Sequence, residues 1–295
     1  HQGEIGNCWF MSSVASMAED PMRVKSLFLN TDNQLNANGI YAVNLYALGV
    51  PHTVIIDDYI PLEKGTYNTY SPAFGKIGAD NSLWGVLIEK AFAKFHGNYS
   101  HIIGGRGGRA LASLTGAPYK TLKHDEITAD DLWKELKAAD ESGQMITSGV
   151  SADADTTMGK AHSYTTVGVV TLSNGVRLVK MRNPWKEEKY TGAWSDNDSR
   201  WTSQFKREAN LVSDMKDGIF HIPIEDYLAQ VSQTEISYDT KHWHSANFLK
   251  LNDNSAAENP GNFSWCGTKC TRHSLKVKSD VAQTIHVAAH TWDLH

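Results

Sequence analysis

At Gly116-Ala117-Pro118 the apolar pattern of the chain changes period, and that change restricts the folds open to it. Before it, Trp84, Leu87, Ile88, Ala91, Phe92 and Phe95 repeat at i, i+3, i+4, i+7, i+8 and i+11, a stripe on one face of a helix that has to be buried. Ile40–Leu48 and Thr53–Asp57 read as short strands around Gly49-Val50-Pro51. After it, Thr128 reads as a helix cap, with Asp130 and Asp131 in the first turn and Leu132, Trp133 and Leu136 turned inward. From Met145 onward glycine and β-branched residues dominate. Met145–Val150, Tyr164–Leu172, Val176–Met181 and Gly218–Pro223 read as an antiparallel sheet, followed by a short helix over Ile224–Val231. The expectation is an α+β protein, helix-rich over 1–117 and β-rich over 118–238, with 295 residues supplying ample core.

The first nineteen residues concentrate reactive groups. Trp9, Phe10, Val14, Met17 and Ala18 fall at helical spacing, Asn7 is placed to cap, and Pro21 follows the stop. Cys8 then lies in the first turn, where the positive end of the helix dipole favours thiolate over thiol. Gly3 and Gly6 let the backbone approach a ligand above the sulfur, and the Gln2 amide is available to stabilise an oxyanion. A lone cysteine beside an apolar helix is ordinarily core filler. Two downstream segments argue otherwise. Thr156–Val170 reads as a loop entering a strand with His162 at the junction, and the next strand runs directly into Arg182-Asn183-Pro184-Trp185. The chain order is therefore Cys, His, Asn. Cys attacks a carbonyl, His takes and returns the proton, and an Asn amide oxygen holds the imidazole in the useful tautomer. No Gly-x-Ser-x-Gly elbow is present, which removes a serine-hydrolase reading.

These blocks resemble the protease core of the calpains, papain-like cysteine endopeptidases. Gln2–Trp9 matches Gln-Gly-x-x-Gly-x-Cys-Trp, His162–Thr165 matches His-x-Tyr-[Ser/Thr], and Arg182–Trp185 matches Arg-Asn-Pro-Trp. Val54–Pro61, Leu83–Lys94 and Tyr190–Asn197 agree as well, so the likeness covers residues 1 to 235. It implies a papain-like fold of two subdomains with the cleft between the Cys8 helix and the sheet. Cys8 would be nucleophile, His162 base then acid, and Asn183 its orienter. Gln2 and the Cys8 N–H would hold the oxyanion, and Trp185 would shield His162–Asn183. The implied substrates are proteins cut at few, exposed sites; a regulatory partner is open. The alternative is a calpain-like module kept for protein binding, its machinery vestigial. In the family further residues precede the nucleophile block, and the chain opens at His1, so it reads as a fragment. Residues 239–295 resemble the start of the β-sandwich that follows the calpain core, cut off before completion.

Calcium is implied by the same resemblance, through Asp196, the Met215 carbonyl and Asp217 in the second subdomain. Calcium needs several oxygen ligands, usually including carboxylates. Lys189 and Ile219 stand where two further carboxylates are expected, and Ser82 replaces a Glu of the first subdomain's site. A lysine inside a cation site repels the metal, so calcium binding is expected to be weak or lost. Ala161, before His162, and Lys186, after Trp185, each replace the family's usual glycine.

Composition excludes other classes. A net charge of −5 and a pI near 6.2 give no reason to expect nucleic acid or an anionic membrane surface, and no apolar run is long enough to span a bilayer. Three cysteines argue against a disulfide framework and fit a reducing, intracellular compartment. Cys266 and Cys270 with His273 hint at zinc, but no second Cys/His pair follows, and they read as ordinary thiols. His286, His290 and His295 reflect composition. Gly104–Arg109 lacks the Gly-Lys-[Ser/Thr] ending of a phosphate loop and reads as a flexible connection.

Overall fold

The structure, a computed structural model, describes residues 1–30, 35–78, 80–212 and 217–238. The expected sandwich start over 239–295, the Cys266/Cys270 pair and the Met215 carbonyl lie outside the described residues.

Helix α1 (Cys8–Met17) buries Phe10, Val14 and Met17, and Pro21 both stops it and opens α2 (Pro21–Leu27), where the missing proline N–H matters least. Asp20 caps α2 through the Met22 N–H. β1 (Ile40–Ala47) and β2 (Val50–Asp57) pair antiparallel, Ile40 opposite Asp57, and β3 (Leu62–Lys64) with β4 (Tyr70–Pro72) makes a second small hairpin. The amphipathic stripe becomes α3 (Trp84–Phe95), whose Leu87, Ile88, Ala91 and Phe92 enter one core with α1, β1 and β2.

The segment expected as a flexible connection is ordered. Gly107 and Gly108 are buried and open α4 (Gly107–Thr115), which packs on α1. A Cβ on Gly108 would stand 2.3 Å from the Tyr119 ring, so this glycine permits close contact rather than motion. The helix ends at Gly116 in the left-handed region, the place where the sequence changes period.

Beyond it lie β5 (Tyr119–Lys123), α5 (Ala129–Glu141), β6 (Ile146–Val150), β7 (His162–Thr171), β8 (Arg177–Arg182), α6 (Ser203–Glu208), β9 (Ile219–Pro223), α7 (Ile224–Gln230) and β10 (Gln233–Ser237). Thr128 caps α5 as expected. The strands form one antiparallel sheet in the order β5-β10-β6-β7-β8-β9. β7 is its centre, and its alternation decides the geometry. Ser163 and Thr165 bond to α1, while Tyr164 and Thr166 face the core that contains Tyr227 of α7. β10, with the text Gln-Thr-Glu-Ile-Ser, shows no strand pattern of its own and is a strand because β5 and β6 flank it. Its Glu235, 1% exposed, accepts the Gly108 N–H at the start of α4 and so joins the two cores.

A third cluster of Leu172, Leu178, Trp194, Trp201 and Ala209 supports the loop after β8. His221 of β9 stands edge-on to Trp201 and is fully buried, with the Ala209 backbone too poorly placed to offset its desolvation. Burial, aided by the nearby Lys180 charge, lowers its pKa to about 4. The unfolded ring titrates near 6.5, so stability from the neutral ring is complete above that pH and lost as pH falls toward 4. His221→Phe is expected to reduce acid destabilisation between those limits by roughly 3 kcal/mol, read from urea unfolding at each pH. His124 and His162, also lowered to about 4 by burial, keep part of the acid sensitivity in the variant.

Candidate active site

The N-terminus of α1 is built on Asn7, whose carbonyl accepts the Phe10 and Met11 N–H groups at 2.9 and 3.0 Å. Its side chain does not cap the helix, contrary to the expectation. It donates instead to Glu89 Oε1 at 2.7 Å, and Glu89 Oε2 accepts the Gly75 N–H at 2.6 Å. Glu89 is fully buried, and a buried carboxylate needs such donors. Desolvation raises its pKa despite both bonds.

Cys8 is half-buried at the first position of α1. The thiolate expected from the helix dipole is not favoured here. Burial raises the Cys8 pKa, outweighing the backbone N–H groups of Ser163, Trp9 and Cys8 that act in the opposite direction. Desolvation acts on the full charge, whereas the helix end supplies only partial charges.

His162 opens β7 and is 3% exposed. Its Nε2 bonds Asn183 Oδ1 at 2.8 Å, which assigns the proton to Nε2 and leaves Nδ1 as the basic atom. Nδ1 is buried without a hydrogen-bond partner. Asn183 is fully buried and held on every side. Its N–H meets the Gly218 carbonyl, its Nδ2 meets the Glu187 carbonyl, and its Oδ1 also accepts the Trp185 N–H. The Trp185 ring, 41% exposed, stacks on the imidazole at 3.8 Å, and Tyr164 meets its edge at 4.8 Å. Burial lowers the His162 pKa to about 4, against the Asn183 bond.

Gln2 joins this cluster through its backbone, N–H to the Pro184 carbonyl at 3.1 Å. Its Nε2 donates one hydrogen to the Ile5 carbonyl at 2.6 Å, leaving the second for another acceptor. The five residues named from sequence thus converge: Gln2 on Pro184, Asn183 and Trp185 on His162, and the Cys8 sulfur against the N–H of Ser163, the residue after His162.

Both positions that depart from glycine adopt left-handed backbone, Ala161 at φ 48° and Lys186 at φ 62°. A Cβ there is strained. Ala161→Gly and Lys186→Gly are each expected to stabilise by roughly 0.5–1 kcal/mol, after the greater freedom of unfolded glycine is allowed for, measured by thermal unfolding.

The residues expected at a cation site divide. Lys189 is turned outward and pairs with Glu187, so it does not occupy the acidic cluster; that expectation is corrected. Glu188, one residue earlier, is buried there instead and accepts the Asp196 N–H at 3.2 Å. Its Oε2 has no hydrogen-bond partner. Burial, then the charges of Asp196 and Asp217, raise the Glu188 pKa to about 7. Asp217 Oδ1 accepts the Ile219 N–H at the entry to β9. Ser82 closes a turn with the exposed Asp80. Among the described residues no three His, Cys, Asp or Glu side chains are gathered as a ready metal site.

Sequence reasoning passed over Ser12, Ser163, Glu89 and Glu188. Only Ser12 carries a local signal, since it lies one helical turn after Cys8 on the same face.

The chain is similar in sequence to known proteins. The chain is 32% identical over 238 residues to the calpain-type cysteine protease DEK1 of Arabidopsis thaliana, a match covering 77% of this chain and 11% of that protein. It is 28% identical over 251 residues to the calpain-1 catalytic subunit of Homo sapiens, covering 80% of this chain and 34% of that subunit. For calpain-8 of Rattus norvegicus the figures are 27% over 299 residues, 95% and 42%. The chain therefore spans less than half the length of each of these relatives. The Calpain family cysteine protease profile matches residues 1–238, from the first block through the last strand of the sheet. With helices and an antiparallel sheet arranged as in that protease core, the chain belongs to the calpain family of cysteine proteases.

Proposed function

We propose that this chain is the catalytic core of an intracellular endopeptidase that performs limited cleavage of proteins through Cys8, His162 and Asn183. The observation that carries the reading is the buried imidazole whose Nε2 is committed to Asn183 and whose Nδ1 is open, beside the Cys8 helix. Cys8 Sγ attacks the scissile carbonyl carbon while His162 Nδ1 takes the thiol proton. The remaining Gln2 amide hydrogen and the Cys8 backbone N–H receive the oxyanion. His162 returns the proton to the leaving amine, and a thioester remains. Water, deprotonated by Nδ1, then attacks the thioester, and Cys8 recovers its proton on release. Burial opposes each charge separately, but transfer makes thiolate and imidazolium together, and their attraction offsets part of that penalty. Trp185 keeps water from the His162–Asn183 bond.

An intracellular setting fits a nucleophile that must stay reduced, and no helix among the described residues is long and apolar enough to cross a membrane. For calcium the residues fit in part. Glu188 and Asp196 would hold the ion with Asp217 as a third carboxylate, supplying positive charge that ties the loop after Trp185 to β9. Ile219 supplies no carboxylate and Met215 lies outside the described residues, so the ligand set on these three side chains is short of the several oxygens calcium takes.

The test is cleavage of an unfolded protein and of a short fluorogenic peptide, in chelator and in excess calcium, with Cys8→Ala as control. Turnover by wild type alone supports the reading, and equal turnover by Cys8→Ala rejects it. A wild type that neither cleaves nor alkylates faster than an ordinary thiol would make this a protein-binding module.

A further inference from the structure

Three hydroxyls of α1 bond outward, and one of them bears on the reaction. Ser13 Oγ meets the Trp9 and Gly107 carbonyls, and Ser16 Oγ accepts the Ile146 N–H, so both fasten the helix to scaffold away from its N-terminus. Ser12 differs. It lies one turn after Cys8 on the same face, fully buried, and its Oγ stands 2.9 Å from Ser163 Oγ. Ser163 directly follows His162, and its N–H faces the Cys8 sulfur. Thr165 Oγ1 adds a bond of 2.7 Å to the Ser12 carbonyl.

Ser12 Oγ also lies 3.2 Å from the Trp9 carbonyl, which can only accept. That carbonyl also accepts Ser13 Oγ at 2.8 Å, so either serine can be the donor in the Ser12–Ser163 bond. A chain of polar contacts runs from the residue after His162, through the helix, to the residue after Cys8. We propose that the Ser12–Ser163 pair is a positioning clasp that sets the approach of Cys8 Sγ to His162 Nδ1. It rests on the protease reading above. The clasp spans the seam between helix and sheet by direct hydrogen bonds. Neither serine touches substrate. Each acts by fixing the register of α1 against β7, where a displacement of about 1 Å can cost as much as 10²-fold in rate.

The experiment uses the full chain with Ser12→Ala, Ser163→Ala, the double variant, and Ser13→Ala as a control for loss of a buried helix hydroxyl. Two quantities are read in chelator and in excess calcium: kcat and KM on a short peptide, and the alkylation rate of Cys8 against pH. Ser12→Ala and Ser163→Ala are each expected to lower kcat on the order of tenfold with KM unchanged, and to shrink the alkylation limb below the ~8.5 of an ordinary thiol. The double variant should lose little more than either single one, because both remove the same link. Ser13→Ala should shift the melting temperature while leaving kcat and the alkylation limb in place. A wild-type limb retained in Ser12→Ala and Ser163→Ala overturns the clasp and leaves the protease reading standing. A wild type with neither limb nor turnover, in chelator and in calcium alike, overturns both.

Discussion

His162→Ala is expected to lower kcat/KM on a short peptide by at least about 10³-fold while the chain still folds. Two functions go at once. Under the proposed mechanism the variant loses the atom that takes the thiol proton, and it loses the charge that makes the thiolate tolerable in a half-buried position. Because burial raises the Cys8 pKa, Cys8 without its partner should alkylate as an ordinary or less acidic thiol. In the wild type, reactivity should persist well below that range and fall where the imidazole, lowered to about 4 by burial, is protonated before it can act as a base. Alkylation against pH for both proteins decides the matter. A wild type indistinguishable from His162→Ala would mean that sulfur and Nδ1 never meet. The effect of Asn183 should be smaller but of the same kind, since it acts through the Nε2 proton and leaves Nδ1 present.

Phe92→Ala should be the most destabilising of the core truncations around the nucleophile helix, by about 3–5 kcal/mol. Phe92 is fully buried, stacked on Phe10 at 3.9 Å and edge-on to Trp9 at 5.5 Å. Truncation removes the transfer energy of the ring and leaves a cavity walled by two rigid aromatics that cannot collapse into it. Against a total of roughly 5–15 kcal/mol for a domain, the loss is a large share of stability. Urea unfolding should show a lower midpoint with an unchanged slope. Trp9 and Phe10 directly follow Cys8, so the same truncation loosens the seat of the nucleophile, and activity should decline before global unfolding. Met22→Ala, at a side chain 64% exposed on α2, should change stability by no more than about 0.5 kcal/mol. Comparable losses at the two sites would show that the Phe10–Phe92 contact is not the seat of α1.

What could be read along the chain follows from how local each signal is. The α3 stripe, the Thr128 cap, the Pro21 stop and four of the sheet strands depend on neighbours within a few positions, and the structure has them within one or two residues of the expected limits. β10 and α4 were illegible for opposite reasons. β10 carries no apolar alternation because its flanking strands determine it. α4 begins with glycines that leave no side-chain period to see, although each is required by a neighbour distant in sequence. Glu188 was missed because a one-residue offset brings a different carboxylate inward, while Lys189 finds Glu187 outside.

The sequence by itself determined the residue types of the site, their order, and the two-part alternation of helix and sheet. Those are local or one-dimensional properties, carried by spacing and by motifs such as Gln2–Trp9 and Arg182–Trp185. Only the tertiary structure set the direction in which each member of the pair shifts. The helix dipole read from sequence pointed to a thiolate, whereas burial raises Cys8 and lowers His162. It also decided that Asn7 serves Glu89 rather than the helix, and that Ser12 meets Ser163 across 151 positions. Desolvation and long-range hydrogen bonding depend on which segments exclude water from one another, and no stretch of the chain records that alone.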